Sequence, residues 1–311
     1  MAVPRIHSVN LDANETFFFA RELEFIKSRS YDILYPEMKS FTLIPISTEA
    51  GPGAESITYQ SFNSTGMAKV ISSYADDLPR ADVRGQEFTQ TVKSIGCSYG
   101  YSLQEIRAAQ MAGRSLTDRQ SRAARLAHDQ KVNRLAWFGD ANYNLPGFLN
   151  NIDVPAAPVP ADGTGNTTEW INKTPDQILR DMNLIANTIA SVTLGVESPD
   201  TLLLPIAQYT LVASTPRSAN SDTTILEYFI QNNPFVKNVE LVPELAGAGP
   251  MGEDIMMAYR KSPDKVTMEI PMAYTQHPPQ ERVLEFVIPC ESRYGGIIFY
   301  YPLSANIGEG I

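Results

Sequence analysis

Only a few residues in this chain have the types and spacing that catalysis or metal binding requires. The three histidines, His7, His128 and His277, lie outside any His-Glu-x-x-His pattern, which would place two imidazoles on one helix face around zinc. No Gly-x-Ser-x-Gly turn is present to expose a serine nucleophile. We therefore expect surface or hydrogen-bonded histidines, and we predict no catalytic, cofactor-binding or metal-binding residue.

The acidic and sulfur-containing side chains lead to the same expectation. Cys97 and Cys290 are the only cysteines and lie too far apart in sequence for a zinc cluster or a disulfide framework. We interpret both as small apolar strand residues. Neighbouring carboxylates such as Asp76 and Asp77 point apart in a strand or loop rather than toward one substrate. A hydrolase or metalloenzyme site assembled from distant residues stays open as an alternative.

Phosphate binding is not favoured by the glycines or by the charge. Segment 246–252 is glycine-rich, but no Lys-Ser/Thr pair follows it and no strand-to-helix context surrounds it. The formal net charge of -10 argues against a protein whose main task is to hold nucleic acid, since that affinity rests on lysine and arginine. Residues 114–134 form a local basic stripe, with six basic and two acidic side chains. We expect these arginines and lysines to be solvated or paired with carboxylates.

The elements between residues 51 and 139 are a polar hairpin followed by one long helix. Residues 55–71 and 87–101 are strand-like and flank the charged link 76–85, so we predict an antiparallel hairpin. This hairpin has too few large apolar residues for a core of its own. We expect its partners on another subunit, and an ordinary edge hairpin of a larger sheet is the alternative.

Two helices should follow the hairpin. The first covers 102–111 and ends before Gly113, and the second covers 115–138 and ends at Gly139. At 1.5 Å per residue the second helix is about 35 Å long. Its predicted apolar face consists of Leu116, Ala124, Ala127, Leu135 and Phe138. Its opposite face carries Arg119, Arg122 and Arg125.

Caps and apolar runs predict the remaining elements. A helix begins after Thr174 as N-cap, with Pro175 at its first position, and buries Ile178, Met182, Ile185 and Ile189 before it ends near residue 192. Two shorter helices are predicted at 206–212 and 223–231. The predicted strands cover 202–204, 239–242, 255–259, 266–270, 281–289 and 296–301.

The N-terminal segment carries apolar residues on nearly all sides. In 15–26 the aromatic run Phe17, Phe18 and Phe19 gives a helix that needs contacts on more than one side. It packs either on a neighbouring subunit or in the core of its own domain. Since the chain shows no signal peptide and no run of about 18 apolar residues, we expect it to be cytosolic when made and to have no membrane partner.

A succession of motifs resembles the major capsid proteins of tailed bacteriophages. The match covers nearly the whole chain and rests on the order of the motifs rather than on any one of them. In chain order they are DDLPRADV (76–83), YGYSLQEI (99–106), WFGDANYNLPGFLNN (137–151), DTLLLP (200–205), VPELAGAGPMG (242–252), SRYGGI (292–297) and the Tyr-Pro pair at 301–302.

The resemblance implies the α+β capsid fold of the Hong Kong ninety-seven type, which encapsulins share. Its parts would be an N-terminal arm (1–49), an extended β-hairpin loop (50–97) and a peripheral domain that contains the long spine helix (98–151). An axial domain (152–261) would follow, and C-terminal strands (262–311) would complete the peripheral domain.

The function that the resemblance implies is structural. The chain would self-assemble through pentamers and hexamers into the icosahedral head shell that encloses double-stranded DNA, and an encapsulin-type compartment is the alternative. Scaffold, portal and decoration proteins would be further partners, and contact with packaged DNA would be weak and non-specific. Assembly would take place in the bacterial host cytoplasm and the mature location would be the virion capsid. The predicted inter-subunit contacts are Phe17, Phe18, Phe19, Tyr59, Phe62, Met67, Ile71 and Phe88.

Overall fold

The structure, a computed structural model, describes residues 35–70, 80–113, 117–218, 220 and 222–311. The predicted helix at 15–26, with Phe17, Phe18 and Phe19, and the predicted contact Ile71 lie outside these residues. The chain divides into residues 1–37 and a second unit of residues 38–311. The elements below belong to the second unit.

Six α-helices occur among the described residues. They are α1 (Ser40–Leu43), α2 (Leu103–Ala112), α3 (Thr117–Phe138), α4 (Pro175–Val192), α5 (Ile206–Ser214) and α6 (Ile225–Asn232). The caps follow the sequence rules. Ser102 and Glu105 form a reciprocal capping box on α2, and Gly113 closes the helix in the left-handed region. Thr174 and Gln177 form the equivalent box on α4.

The described strands form four sheets. A two-stranded ribbon contains β2 (Ser56–Thr65) and β3 (Asp82–Thr91). A three-stranded sheet has the order β1 (Ile46–Ser47), β9 (Val266–Glu269), β13 (Ile297–Phe299). In a four-stranded sheet, β12 (Glu285–Tyr294) pairs with β10 (Met272–Gln276), β11 (Gln280–Arg282) and β4 (Lys93–Ser102). A five-stranded sheet has the order β5 (Ala156–Pro158), β14 (Ala305–Glu309), β8 (Ile255–Tyr259), β6 (Thr201–Leu204), β7 (Asn238–Leu241).

The antiparallel hairpin exists, and residues 56–60 pair with 87–91 as predicted, but the rest of the predicted pairing was wrong. β2 pairs with residues 82–91, and the second predicted run, 87–101, divides at Val92 into the end of β3 and the start of β4. Val92 is buried, whereas β3 is exposed over most of its length. β4 pairs with β12 instead, because its partly buried face packs on α3 and the C-terminal strands. Residues 82–85, assigned to the charged link, are part of β3.

The predicted apolar face of α3 was partly wrong. Ala124 and Leu135 are buried as expected, but Ala127 and Phe138 are exposed, and Leu116 lies outside the described residues. The buried stripe runs through His128, Val132 and Ala136 instead. A histidine can replace an apolar residue there because Ser292 of β12 hydrogen-bonds its Nε2 atom at 2.5 Å.

The C-terminal strands also differ from the sequence prediction. The predicted strand 281–289 is two strands, β11 and β12, joined by a turn in which Val283 has a positive φ of 53°. The last strand, β14, pairs with β8 and β5, so the segment 262–311 contributes to the five-stranded sheet as well as to the three- and four-stranded sheets.

Two large apolar cores pack around these sheets. The first lies between α3 and strands β9 and β13. Phe148 contacts the Trp137 and Tyr259 rings edge-on and the Phe299 ring at a tilt, and these four aromatic residues fill its centre. The second lies between α4, α5, α6 and the five-stranded sheet, with the predicted α4 stripe fully buried in it. None of the helices in the described part of the chain is both long and apolar enough to cross a bilayer.

Candidate assembly surfaces

The base of the β2–β3 ribbon is fixed to the rest of its own subunit. Tyr59 stacks on Phe88 across the ribbon at a centroid distance of 5.2 Å, and its ring meets Tyr300 edge-on at 5.1 Å. The side chain of Gln90 donates a hydrogen bond of 2.8 Å to the carbonyl of Asn144. A cleft of about 580 Å³ remains beside this base, with Ile152 on its rim. The base is therefore held by both apolar and polar contacts within the subunit.

The outer half of the ribbon has a different surface. Phe62 is 66% exposed and Met67 is 80% exposed, and Val83 on the opposite strand is 61% exposed. Backbone pairing continues through this half as far as Thr65 and Asp82. Large apolar side chains that water surrounds in a single subunit are typical of a surface that another protein covers.

Within this ribbon the structure thus separates two kinds of predicted contact residue. Tyr59 and Phe88 already stack on each other within the subunit. Phe62 and Met67 are more exposed to solvent than Phe88. Their predicted role between subunits stays a prediction for all four residues. Sequence alternation identified these residues, but it could not show which of them pack on Tyr300, because that residue is remote in sequence.

The outward face of α3 carries the basic stripe. Arg122, Lys131 and Arg134 are exposed, and Arg125 lies 3.6 Å from the carboxylate of Asp129, one turn along the helix. The guanidinium of Arg125 also lies 5.9 Å from the centre of the Tyr274 ring. The inward face is anchored by Asn133, whose side chain donates to the Glu244 carboxylate at 2.6 Å and accepts from the Ser40 N–H at 3.3 Å. The helix therefore presents several cations on one side and a rigid packed face on the other.

A network of charges fastens the loop before α4 to the helix. The side chains of Lys173 and Asp181 are completely buried and form an ion pair of 2.6 Å. Arg180 binds both Asp162 and Asp181, and the Arg180 guanidinium lowers the pKa of the Asp162 carboxyl. Lys173 also donates to the carbonyl of Pro160 at 2.7 Å. The loop of residues 159–173 is consequently a fixed surface rather than a free connection.

Several large apolar side chains of the second core region face outward. Leu194, just beyond α4, is 92% exposed, and Met251 in the glycine-rich segment is 95% exposed. Leu194 has a positive φ of 52°, which is unfavourable for a branched side chain. Sequence reasoning missed both residues because a single apolar residue in a loop gives no periodic signal.

The candidate catalytic and ligand-binding patterns have structural explanations. The glycine-rich segment bonds to its own carboxylates, since Gly247 N–H donates to Asp254 and Met251 N–H donates to Glu253, both at 2.8 Å. These N–H groups are therefore not directed at a phosphate. His277 lies on an exposed strand end 2.9 Å from Glu291. Across the described ranges, no three His, Cys, Asp or Glu side chains come together as metal ligands.

The fold is shared with solved capsid and virus-like-particle structures. The coat subunit of the capsid of Myoviridae phage XM1 superimposes with a TM-score of 0.81 at 17% identity, over 95% of this chain and 99% of that chain. The native GTA particle capsid gives 0.64 at 7% identity, over 93% and 96%. A virus-like particle from Pyrococcus furiosus gives 0.54 at 10% identity, over 86% and 91%.

The sequence gives the family directly. Residues 66–311 match the family model described as major capsid protein, and this chain belongs to that family. Its function is therefore that of a structural coat protein in the head shell, as the motif succession predicted, and its α+β fold is the one shared by tailed-phage capsids. Among curated protein sequences, none shows significant similarity to this chain.

Proposed function

We propose that this coat protein tiles an icosahedral head as pentamers and hexamers that are linked through the β2–β3 ribbon. The observation that carries the proposal is the contrast within the ribbon. Its base is packed on Tyr300, while Phe62 and Met67 remain exposed in its outer half. A fixed base fixes the direction of the outer half before assembly, so less conformational entropy is lost when it meets a neighbour.

The geometry of the ribbon allows a specific test. Val92 N–H donates to Glu55 O, and the continuous register then makes Ser61 and Gln86 a hydrogen-bonded pair. Replacement of residues 62–85 by Asn-Gly should therefore close the two strands with a two-residue turn. The shortened protein should remain folded by circular dichroism and fail to form closed shells in negative-stain micrographs. Normal shells from this variant would refute the linking role of the ribbon.

The proposed content of the shell is double-stranded DNA, held by weak and non-specific contact. The exposed Arg122, Lys131 and Arg134 on α3 support such contact, and the net charge of -10 keeps it weak. Scaffold, portal and decoration proteins are proposed partners, and assembly in the host cytoplasm is proposed as well. Nuclease-protected DNA in purified virions would support the proposal, whereas particles that contain only a protein cargo would favour the encapsulin-type alternative.

A further inference from the structure

The two cysteines, which are remote in sequence, are neighbours in the fold. β4 and β12 pair antiparallel in continuous register, and in this register Cys97 lies directly opposite Cys290. Residues opposite each other in a ladder project on the same face of the sheet. Both thiols are unbridged. Cys97 and Cys290 are far apart in sequence, which argued against a disulfide framework, but they are adjacent in the folded chain.

The Cα atoms of these two residues lie close enough for a bridge. In the same ladder, Leu103 N–H donates to Leu284 O at 2.9 Å. Hydrogen-bonded pairs alternate along an antiparallel ladder, so Cys97 and Cys290 also form a hydrogen-bonded pair, with Cα atoms about 5.5 Å apart. That Cα separation falls within the roughly 4.4–6.8 Å that disulfides span. The Cβ atoms of a hydrogen-bonded pair are about 5.5 Å apart and must approach by about 1 Å for the bond to form, so the strands keep their pairing but shift locally, and the strain makes the bond easier to reduce.

The surroundings of the pair decide how it reacts. Cys290 is buried in a small cluster with Tyr101 and Ile288, whereas Cys97 is only partly buried and donates to the Ala124 carbonyl of α3 at 3.7 Å. Burial raises the pKa of the Cys97 thiol. Since the thiolate is the reactive form, oxidation should be slow rather than immediate.

We propose that Cys97 and Cys290 form a reversible disulfide within one subunit. The thiolate of the more accessible Cys97 attacks a small disulfide such as oxidised glutathione, and one glutathione thiolate leaves. Cys290 then loses its proton and attacks the Cys97 sulfur of the mixed disulfide, which releases the second glutathione. Two cysteine thiols are oxidised to one disulfide, and one glutathione disulfide is reduced to two thiols.

The position of the bond gives it a mechanical consequence. β4 continues directly from the ribbon through Val92, and β12 is the central strand of the four-stranded sheet. A disulfide at this point adds a covalent cross-link between β4 and β12 within that sheet, close to where β4 continues from the ribbon. It goes beyond the coat function, because it makes the stiffness of the subunit depend on the redox conditions around the particle.

Thiol analysis of the full-length chain tests the proposal. The folded protein is incubated with oxidised glutathione, denatured, alkylated and examined by mass spectrometry without reduction. The wild type should lose both titratable thiols, become two hydrogen atoms lighter, and yield one peptide pair joined through Cys97 and Cys290. Its thermal unfolding midpoint should rise by several degrees, because the bond closes a long loop in the unfolded chain.

Matched variants complete the experiment. Cys97→Ser and Cys290→Ser should each remove the joined peptides and the thermal shift, and each should leave one remaining cysteine. Three results would overturn the proposal. They are two alkylated cysteines in the treated wild type, glutathione retained on Cys97 alone, or a disulfide that joins two subunits and gives a dimer on a non-reducing gel.

Discussion

Replacing Tyr59 and Phe62 separately by alanine distinguishes the contacts that hold the ribbon from those that could link subunits. The two residues lie on the same strand, three positions apart, and therefore project from opposite faces of the ribbon. Tyr59 has ring contacts with both Phe88 and Tyr300, whereas Phe62 is 66% exposed. The two substitutions remove similar apolar volumes, so each serves as the control for the other.

The expected energies follow from these contacts. An aromatic pair contributes about 0.5–1.5 kcal/mol beyond its area burial, so Tyr59→Ala should weaken the base of the ribbon by about 2 kcal/mol. Phe62→Ala should leave the isolated subunit within about 0.5 kcal/mol of wild type, as expected for an exposed position. If a neighbouring subunit covers Phe62, its loss should cost about 1–2 kcal/mol per contact. Because every subunit of a shell would lose this contact, the substitution should raise the subunit concentration that assembly requires.

Hydrogen exchange and light scattering measure the two effects. Tyr59→Ala should increase amide exchange in β2 and β3 of the unassembled subunit, because the local opening free energy falls. Phe62→Ala should leave exchange unchanged and raise the subunit concentration required for shell formation by about tenfold, which corresponds to 1.4 kcal/mol. Unchanged assembly of Phe62→Ala, or equal exchange in both variants, would refute the reasoning.

Three further predictions concern the second core. Lys173→Met should lower the free energy of unfolding by about 3 kcal/mol in urea titrations, because it removes one partner of the buried pair with Asp181. A cost smaller than that of Arg180→Met, whose side chain is 45% exposed, would contradict this. Gly308→Val should lower the free energy of unfolding by about 1–3 kcal/mol through overpacking. A Cβ atom at this position would already lie 2.8 Å from a side-chain carbon of Ile185 on α4. A urea midpoint equal to that of wild type would contradict this prediction. Arg180 lowers the pKa of Asp162 in the folded state. The ionised Asp162 should therefore stabilise the fold above the ordinary carboxyl pKa, and this stabilisation should be lost as the pH falls toward the lowered pKa of Asp162. Asp162→Asn should flatten that acid dependence, and an unchanged pH profile would contradict it.

The helices could be predicted well because their signals are local. Thr174 and Pro175 identify the start of α4, and apolar residues at three- and four-residue spacing identify its buried face. The buried strand after it is an equally local apolar run. The order of the motifs then carried the prediction of the fold, which the family match and the structural similarities confirm.

The errors concern contacts between distant residues. His128 looks polar in the sequence, and the bonds of its two ring nitrogens to Ser292 and Asp129 explain how α3 can bury it. Alternation predicts 87–101 as a single strand, but it does not show that this run divides at Val92, with its first part in the ribbon and its second part paired with β12. The apposition of Cys97 and Cys290 depends on that same pairing.

An electron cryomicroscopy map of particles built from this chain tests the central claim most directly. The account predicts closed shells in which the outer half of each ribbon, with Phe62 and Met67, lies on a neighbouring subunit while Tyr59 keeps its contact with Tyr300. Shells in which the ribbon touches only its own subunit or solvent would contradict the account.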